Sequence, residues 1–495
     1  MEMPPPDEAV IADKEKLAAG LREILPEDCV IDAPAALRVF ESDALSAYRQ
    51  PPMLAVLPTD TQQVAAVLRF CLRRGIKLVP RGAGTSLSGG ALPLADGILL
   101  GLSRFRRILN IDYPNRCITV QPGVANLAVS AAVADQGFYY APDPSSQYAC
   151  SIGGNVAENA GGIHCLKYGL TSNNLLGVEA VLVDGEVIRI GGATMERAGY
   201  DLLGLLTGSE GLLAVITEVT LRILPKPPLA RALLLGFGDV AAAGRVVSEI
   251  IRAGIIPAGM EMMDRSVIAA VERHVRAGYP LDVEALLIVE LDGVEAEIAH
   301  AVSVVKEIAA SHGASEMRVS ESEEERELFW TGRKAAFAAA GRISTGYYVV
   351  DGTIPRHALP EVLSATYEMS ERYGLQVMNV FHAGDGNLHP LILYDSNSDE
   401  ELRKAEDFGA DILRLCVEKG GVLTGEHGVG VEKRDLMEEV FSETDLEVQQ
   451  RVKCAFDPLS LLNPGKMFPH LRRCAELGSM HVHDGRLPFP ELPRF

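Results

Sequence analysis

Two histidines, His382 and His389, flank the dipeptide Asp385-Gly386 in the run VMNVFHAGDGNLHPLILY. Asp-Gly is the pair that best supports a two-residue hairpin turn between apolar strands. With that turn, Gly384 pairs with Asn387, Ala383 with Leu388, and His382 with His389. Directly opposed residues share one face of a ladder, with Cβ atoms about 4.5–5.5 Å apart. Two imidazoles so held can converge on one metal ion; a pair of sheet-surface histidines is the plainer alternative. A third ligand is on offer in LTGEHGVG, where Glu426 and His427 stand between glycines. Neighbouring side chains of an extended segment point opposite ways, so one of these can face an ion while the other faces another part of the site. Two histidines and a glutamate suit a divalent ion that keeps positions open for substrate oxygens.

A basic cluster, Arg333, Lys334 and Arg342, stands in FWTGRKAAFAAAGR, in a chain that is otherwise acidic. Arginine grips a carboxylate through two parallel hydrogen bonds, which fixes orientation as well as charge. Solvated helix charges are the plainer reading, and we prefer it for Lys334.

Three glycine-rich loops come earlier in the chain. Arg81 to Gly90 reads RGAGTSLSGG and begins where an apolar strand ends. Its Gly82-x-Gly84 start falls short of a dinucleotide fingerprint, because Leu87 stands where the third glycine belongs. Backbone N–H groups with the hydroxyls of Thr85, Ser86 and Ser88 can still cradle a pyrophosphate. The second loop carries Ser151, Gly153-Gly154-Asn155 and Gly161-Gly162, and the third carries Gly208-Ser209-Glu210-Gly211. Small residues let a backbone approach a ligand closely, so the three loops together can line a groove for a flat, extended molecule.

The elements that must position these residues can be read from apolar periodicity. MLAVLP, TDTQQVAAVLRFCLRRG and IKLVPRG read as strand, helix and strand, ending on the first glycine loop. Short strands and glycine turns alternate down to LLAVITEVTLRILPKPP, whose prolines mark an edge. ALLLGFG, DVAAAGRVVSEIIRAG, EALLIVELDG and VEAEIAHAVSVVKEIAASHG then read as strand, helix, strand and helix, one sheet covered by helices. ESEEERELF is a solvated helix face, and VQQRVKCAFDPLSLLNPGKMF is a helix followed by a proline-stopped loop. The division expected is an entry segment at 1–50, a ligand-binding domain at 51–228, a second domain at 229–440, a C-terminal helical segment at 441–475 and an extended tail at 476–495.

Composition bounds the function. The 495 residues carry 46 Lys+Arg against 67 Asp+Glu, a formal charge of −21. Nucleic acid requires a basic footprint, so it is excluded as a partner. The eight cysteines show no Cys-x-x-Cys spacing, which leaves no platform for a zinc finger or an iron–sulfur cluster. Scattered thiols fit a reducing, cytoplasmic setting. The acidic, proline-rich start MEMPPPDEAV is unlike a signal peptide, and no apolar run approaches the roughly 18 residues of a membrane span.

VPRGAGTSLSGG, SIGGNVAENAGG and GSEGLLAVITEVTLRILPKP resemble, in order and spacing over residues 50–225, the FAD-binding domain of the vanillyl-alcohol oxidase family. The fold this implies is α+β, with two α/β subdomains for FAD, a cap domain built on an antiparallel sheet, and a C-terminal segment returning to the flavin. FAD is then held by Arg81, Gly82, Gly84, Thr85, Ser86, Gly89 and Gly90 at the pyrophosphate. Ser151, Gly153, Gly154, Asn155, Gly161, Gly162, Gly208, Glu210, Gly211 and Ile216 run along the rest, and Asn463 of LLNPGK returns to it. Some members attach the flavin to a histidine near the first loop; none occurs between Met1 and Ser151, so non-covalent FAD is expected.

FHAGDGNLHPLIL and GEHGVG resemble the C-terminal half of FAD-linked D-2-hydroxy acid dehydrogenases. That implies His382, His389 and Glu426 as ligands of a divalent metal (zinc, manganese or iron), His427 as catalytic base, and Arg333, with Arg342, for the substrate carboxylate. The reaction implied is proton removal from the α-hydroxyl by His427 with hydride transfer to the flavin. Where the hydroxyglutarate enzymes carry a threonine and a lysine for a second carboxylate, Phe337 and Val349 stand here, which favours a smaller acid. FWTGRKAAF, DGTIPR and the tail RCAELGSMHVHDGRLPFPELPRF resemble the glycolate-oxidising flavoprotein subunits of this group. Those imply a second FAD-binding subunit and an iron–sulfur subunit as partners, and a cytoplasmic place or one peripheral to the inner membrane through them. A stand-alone D-lactate dehydrogenase and a non-catalytic flavin electron-transfer subunit are the competing readings.

Overall fold

The structure, a computed structural model, describes residues 3–194 and 199–469. The expected tail at 476–495 and the last residues of the 441–475 segment lie outside the described residues.

The first half holds two main sheets, beside a two-residue pairing of Phe138–Tyr139 with Leu224–Pro225. β1 (Val30–Ile31) pairs antiparallel with β2 (Leu54–Val56), after which α1 (Thr61–Arg74) crosses over to β3 (Leu78–Arg81), with β4 (Ile98–Gly101) between β2 and β3 in parallel. Asp60 caps α1 through its carboxylate, and Gly75 ends it at a φ of 64°, a left-handed conformation that glycine adopts without strain. This is the strand–helix–strand expected from the sequence. The second sheet is antiparallel and uses β5 (Ile108–Asp112), β6 (Cys117–Val120), β7 (Leu175–Val181), β8 (Val187–Gly191) and β9 (Val215–Arg222), in the order β5-β6-β9-β7-β8. α2 (Ile152–Glu158) packs against this sheet, its N-terminus capped by the Ser151 hydroxyl.

The second half is built on one antiparallel sheet. β10 (Leu229–Phe237), α3 (Val240–Arg252), β11 (Gly259–Asp264), β12 (Ala285–Gly293), α4 (Glu295–Ser311) and β13 (Ala314–Val319) come first. α5 (Glu323–Lys334), β14 (Gly346–Val349), α6 (Leu359–Tyr373), β15 (Val377–His382), β16 (Asn387–Tyr394) and α7 (Asp399–Glu418) complete it. The strand order is β13-β10-β12-β11-β15-β16-β14. Its central strands are buried on both faces, by α3, α4, α6 and α7 on one side and by α5 with neighbouring helices on the other, so they read as continuous apolar runs. After α8 (Glu443–Phe456) the chain returns to the first half, where Leu462 pairs beside Leu78 and Asn463 N–H donates to the Leu78 carbonyl.

Cys29, Cys71, Cys117, Cys150 and Cys416 are buried free thiols. Among the described residues no helix is long and apolar enough to cross a membrane.

Candidate functional site

The hairpin β15–β16 brings His382 and His389 together, but in a register different from the one expected. His382 pairs with Asn387, and His389 lies opposite Val380. The loop is four residues, Ala383 to Gly386, closed by Gly386 N–H donating to the His382 carbonyl, with Gly386 at a φ of 84°. Asp385 serves inside it by accepting from Asn387 N–H, and is not part of a two-residue turn. The slip is two residues, which preserves facing in a structure of period two. The imidazoles therefore remain on one face as diagonal neighbours, ring centroids 5.0 Å apart and nearly perpendicular.

Glu426 meets both: its Oε1 is 3.3 Å from His382 Nε2 and 3.1 Å from His389 Nε2. Burial alone would push the Glu426 carboxyl up, yet the hydrogen bonds and charges of the two histidines hold it well below the usual range. Two imidazole nitrogens and one carboxylate oxygen converging within 4.8 Å of one another are a donor set that fits a divalent ion. His427, the next residue, turns its ring onto His389 at 4.9 Å, nearly parallel. Burial, and then the neighbouring His389, lower its pKa to about 4 against the pull of Asp351, so the ring is neutral near pH 7.

Asp351 sets this segment and was not anticipated. Fully buried, it accepts the N–H of His427 at 2.9 Å, the N–H of Gly425 at 3.2 Å and the Thr424 hydroxyl at 2.6 Å, and it pairs with Lys433 at 3.2 Å. Gly425 presses on Asn387, and Gly428, at a φ of 82°, lies against Glu158 and Glu210, so neither position has room for a side chain. Glu210, itself at a φ of 51°, accepts Val429 N–H at 2.7 Å and Gly430 N–H at 2.8 Å. The third glycine loop of the first half thus grips the GEHGVG segment of the second.

These segments close one end of a cavity of about 380 Å³. Its wall includes Arg81, Gly82, Gly84, Thr85, Ser86, Gly90, Ser151, Gly153, Gly154, Asn155, Glu210, Gly211 and Ile216 from the first half. Lys334, Phe337, His389, Glu426 and His427 stand on it from the second. Five expected flavin residues act from behind. Gly89 packs on Val431, Gly161 backs Glu426, Gly162 abuts Asp143, and Gly208 turns the chain at a φ of 74°. Asn463 donates to the Gly90 carbonyl at 2.9 Å and the Glu210 carbonyl at 2.7 Å, and Lys466 braces it from 3.0 Å. Pro144, Ser145, Ser146 and Glu158 also stand on the wall, without a glycine pattern to reveal them.

The expected carboxylate anchors lie elsewhere. Arg333 is 1% exposed and committed to Glu261, with Nε at 2.8 Å and Nη2 at 2.7 Å from the same oxygen. Arg342 is exposed after the short helix Ala336–Ala340, away from the cavity wall. Lys334 is exposed, as expected of a solvated charge, and is also the cation of that cluster on the wall. Phe337 shares the wall, whereas Val349 is buried in the core beneath the sheet.

A groove lined by glycine loops that also carries a histidine–glutamate cluster marks a flavin-dependent oxidoreductase of the vanillyl-alcohol oxidase fold. The fold is matched by a 4-ethylphenol oxidase from Gulosibacter chungangensis at a TM-score of 0.79 and 18% identity, over 94% of this chain and 99% of that one. A p-cresol methylhydroxylase matches at 0.78 and 18% identity, over 92% and 97%. An FAD binding domain is recognised at residues 52–191 and the C-terminal domain of FAD linked oxidases at 226–467, and the chain belongs to this family of FAD-linked oxidases. It is 54% identical to the glycolate oxidase subunit GlcD of Escherichia coli K12, over 98% of this chain and 97% of that protein. Identity is 36% to the glycolate oxidase subunit GlcD of Bacillus subtilis (88% and 93%), and 34% to a D-lactate dehydrogenase of Archaeoglobus fulgidus (86% and 96%).

Proposed function

We propose that this enzyme oxidises a small 2-hydroxy acid, glycolate to glyoxylate and also D-lactate to pyruvate, and passes the electrons to a partner. The observation that carries the reading is the single wall on which flavin-loop residues meet Lys334, His389, Glu426 and His427. Bound FAD, held without a covalent link, supplies the two-electron acceptor. A divalent ion on His382, His389 and Glu426 would supply Lewis acidity toward a hydroxyl oxygen.

His427 is the base that accepts the hydroxyl proton. It is neutral, it lines the cavity, and its backbone is fixed by Asp351. Lys334 supplies the positive charge that an anionic substrate needs in a chain of net charge −21. Arg333 reaches the site only through Glu261. Phe337 occupies wall that a longer acid would need, which favours two- and three-carbon substrates.

Electron delivery to a second FAD-binding subunit and an iron–sulfur subunit is supported by the absence of any Cys-x-x-Cys pair and by relatives that are named as subunits. Turnover with an artificial electron acceptor and trapping of the carbonyl product tests the reaction. We expect glyoxylate from glycolate and pyruvate from D-lactate, with no support from NAD⁺. Product formed only with an added nicotinamide cofactor would refute it.

A further inference from the structure

Glu261 lies at the third position of β11, in the run GMEMMD, and is fully buried. β11 and β15 are antiparallel neighbours, Met262 opposite Phe381 and Met263 opposite Val380. One step further along this register puts Glu261 across from His382. Its Oε1 is 2.6 Å from His382 Nδ1, and its other oxygen takes the Arg333 guanidinium at 2.8 Å and 2.7 Å. His382 Nε2 points the other way, toward Glu426 Oε1.

An imidazole that offers a lone pair at Nε2 must carry its proton at Nδ1. A carboxylate acceptor at Nδ1 selects that tautomer, locks the ring's rotation and makes the far nitrogen more basic. A buried carboxylate with only a neutral imidazole for company would carry a large desolvation penalty. Arg333, 1% exposed, removes the penalty while leaving one carboxylate oxygen to His382.

We infer that Glu261, neutralised by Arg333, is a positioning residue that presents His382 Nε2 to a divalent ion shared with His389 and Glu426. This inference rests on the metal site of the preceding section.

The test uses the full-length, FAD-loaded chain, with zinc and manganese as probe ions. Metal per chain is measured by elemental analysis, and affinity by competition with a chromophoric chelator. The flavin-to-protein ratio and the thermal midpoint are recorded for every variant. We expect about one ion per wild-type chain. Glu261→Gln keeps an oxygen acceptor and should bind about 10-fold more weakly, and Glu261→Leu about 100-fold, with FAD content unchanged. If the leucine variant does not fold, the near-isosteric glutamine variant carries the result. Equal affinity in wild type and Glu261→Gln overturns the inference. So does loss of metal only in step with loss of FAD and fold, which marks a purely structural glutamate. A wild-type chain that retains neither ion refutes the metal site itself, and this inference with it.

Discussion

His427 is a neutral, partly buried imidazole on the cavity wall, and its proposed role as base makes a sharp prediction. His427→Asn should retain FAD and lower the rate of flavin reduction by about 10²–10⁴-fold, the range typical of general acid–base catalysis. Rapid anaerobic mixing with glycolate measures it, and near-normal reduction would rule the base out. Lys334 makes a second. Lys334→Met should raise KM for the acid about 10-fold or more with a smaller change in kcat, and Lys334→Arg should recover most of the loss. An unchanged KM in the methionine variant would return the carboxylate to another cation. At this scale, legibility follows sequence distance. Glu426 and His427 were legible because glycines flank them, and His389 because it shares a short hairpin with His382. Glu261 and Asp351 were not, because their partners His382 and His427 lie 121 and 76 residues away and both stand in apolar runs that read as strand. Arg333 was expected to hold the substrate carboxylate, whereas it pairs with Glu261, 72 residues away, which local pattern cannot supply.

Between the elements, the hairpin shows how a wrong register can leave a right face. Asp385-Gly386 signals a turn, and local propensity favours the two-residue form. The longer loop is chosen by tertiary contacts, since Ile354 N–H donates to the Gly386 carbonyl and Gly384 N–H to the Met260 carbonyl. A second link joins the halves at His164, between Asp143 at 2.8 Å and Glu290 at 3.2 Å. Burial would lower the His164 pKa, but the Asp143 charge and the hydrogen bonds of both carboxylates raise it to about 10. Glu290, which burial would raise, is held at about 2 by His164 and Arg326. The folded state therefore holds the His164 proton more tightly than the unfolded chain does. Its stabilisation is complete below about pH 6.5 and is lost as pH rises through about 10, while that of Glu290 is present above about pH 4.5 and lost toward 2. The difference in thermal midpoint between wild type and His164→Gln should be largest near pH 5–6 and shrink toward pH 10. A difference independent of pH would contradict the pairing.

Over the whole molecule, the α+β organisation was legible because sequence texture changes near Pro225–Pro228 and because three glycine loops recur beside strands. The order of strands was not. β15 and β16 complete a sheet begun more than a hundred residues earlier at β10, and the apolar runs that permit this pairing would permit others. The arrangement has a functional consequence, because the glycine loops of one half and the histidine cluster of the other line a common cavity, with Glu210 holding the Val429–Gly430 backbone and Asn463 holding the Gly90 and Glu210 carbonyls. This shared cavity is proposed to oxidise small 2-hydroxy acids on FAD. The most direct test is anaerobic mixing of the FAD-loaded chain with glycolate, D-lactate, L-lactate and D-2-hydroxyglutarate while the flavin's visible absorbance is followed. We expect saturable bleaching by glycolate and D-lactate, with L-lactate and D-2-hydroxyglutarate far slower. A flavin that dithionite bleaches fully but that none of the four acids reduces would contradict it.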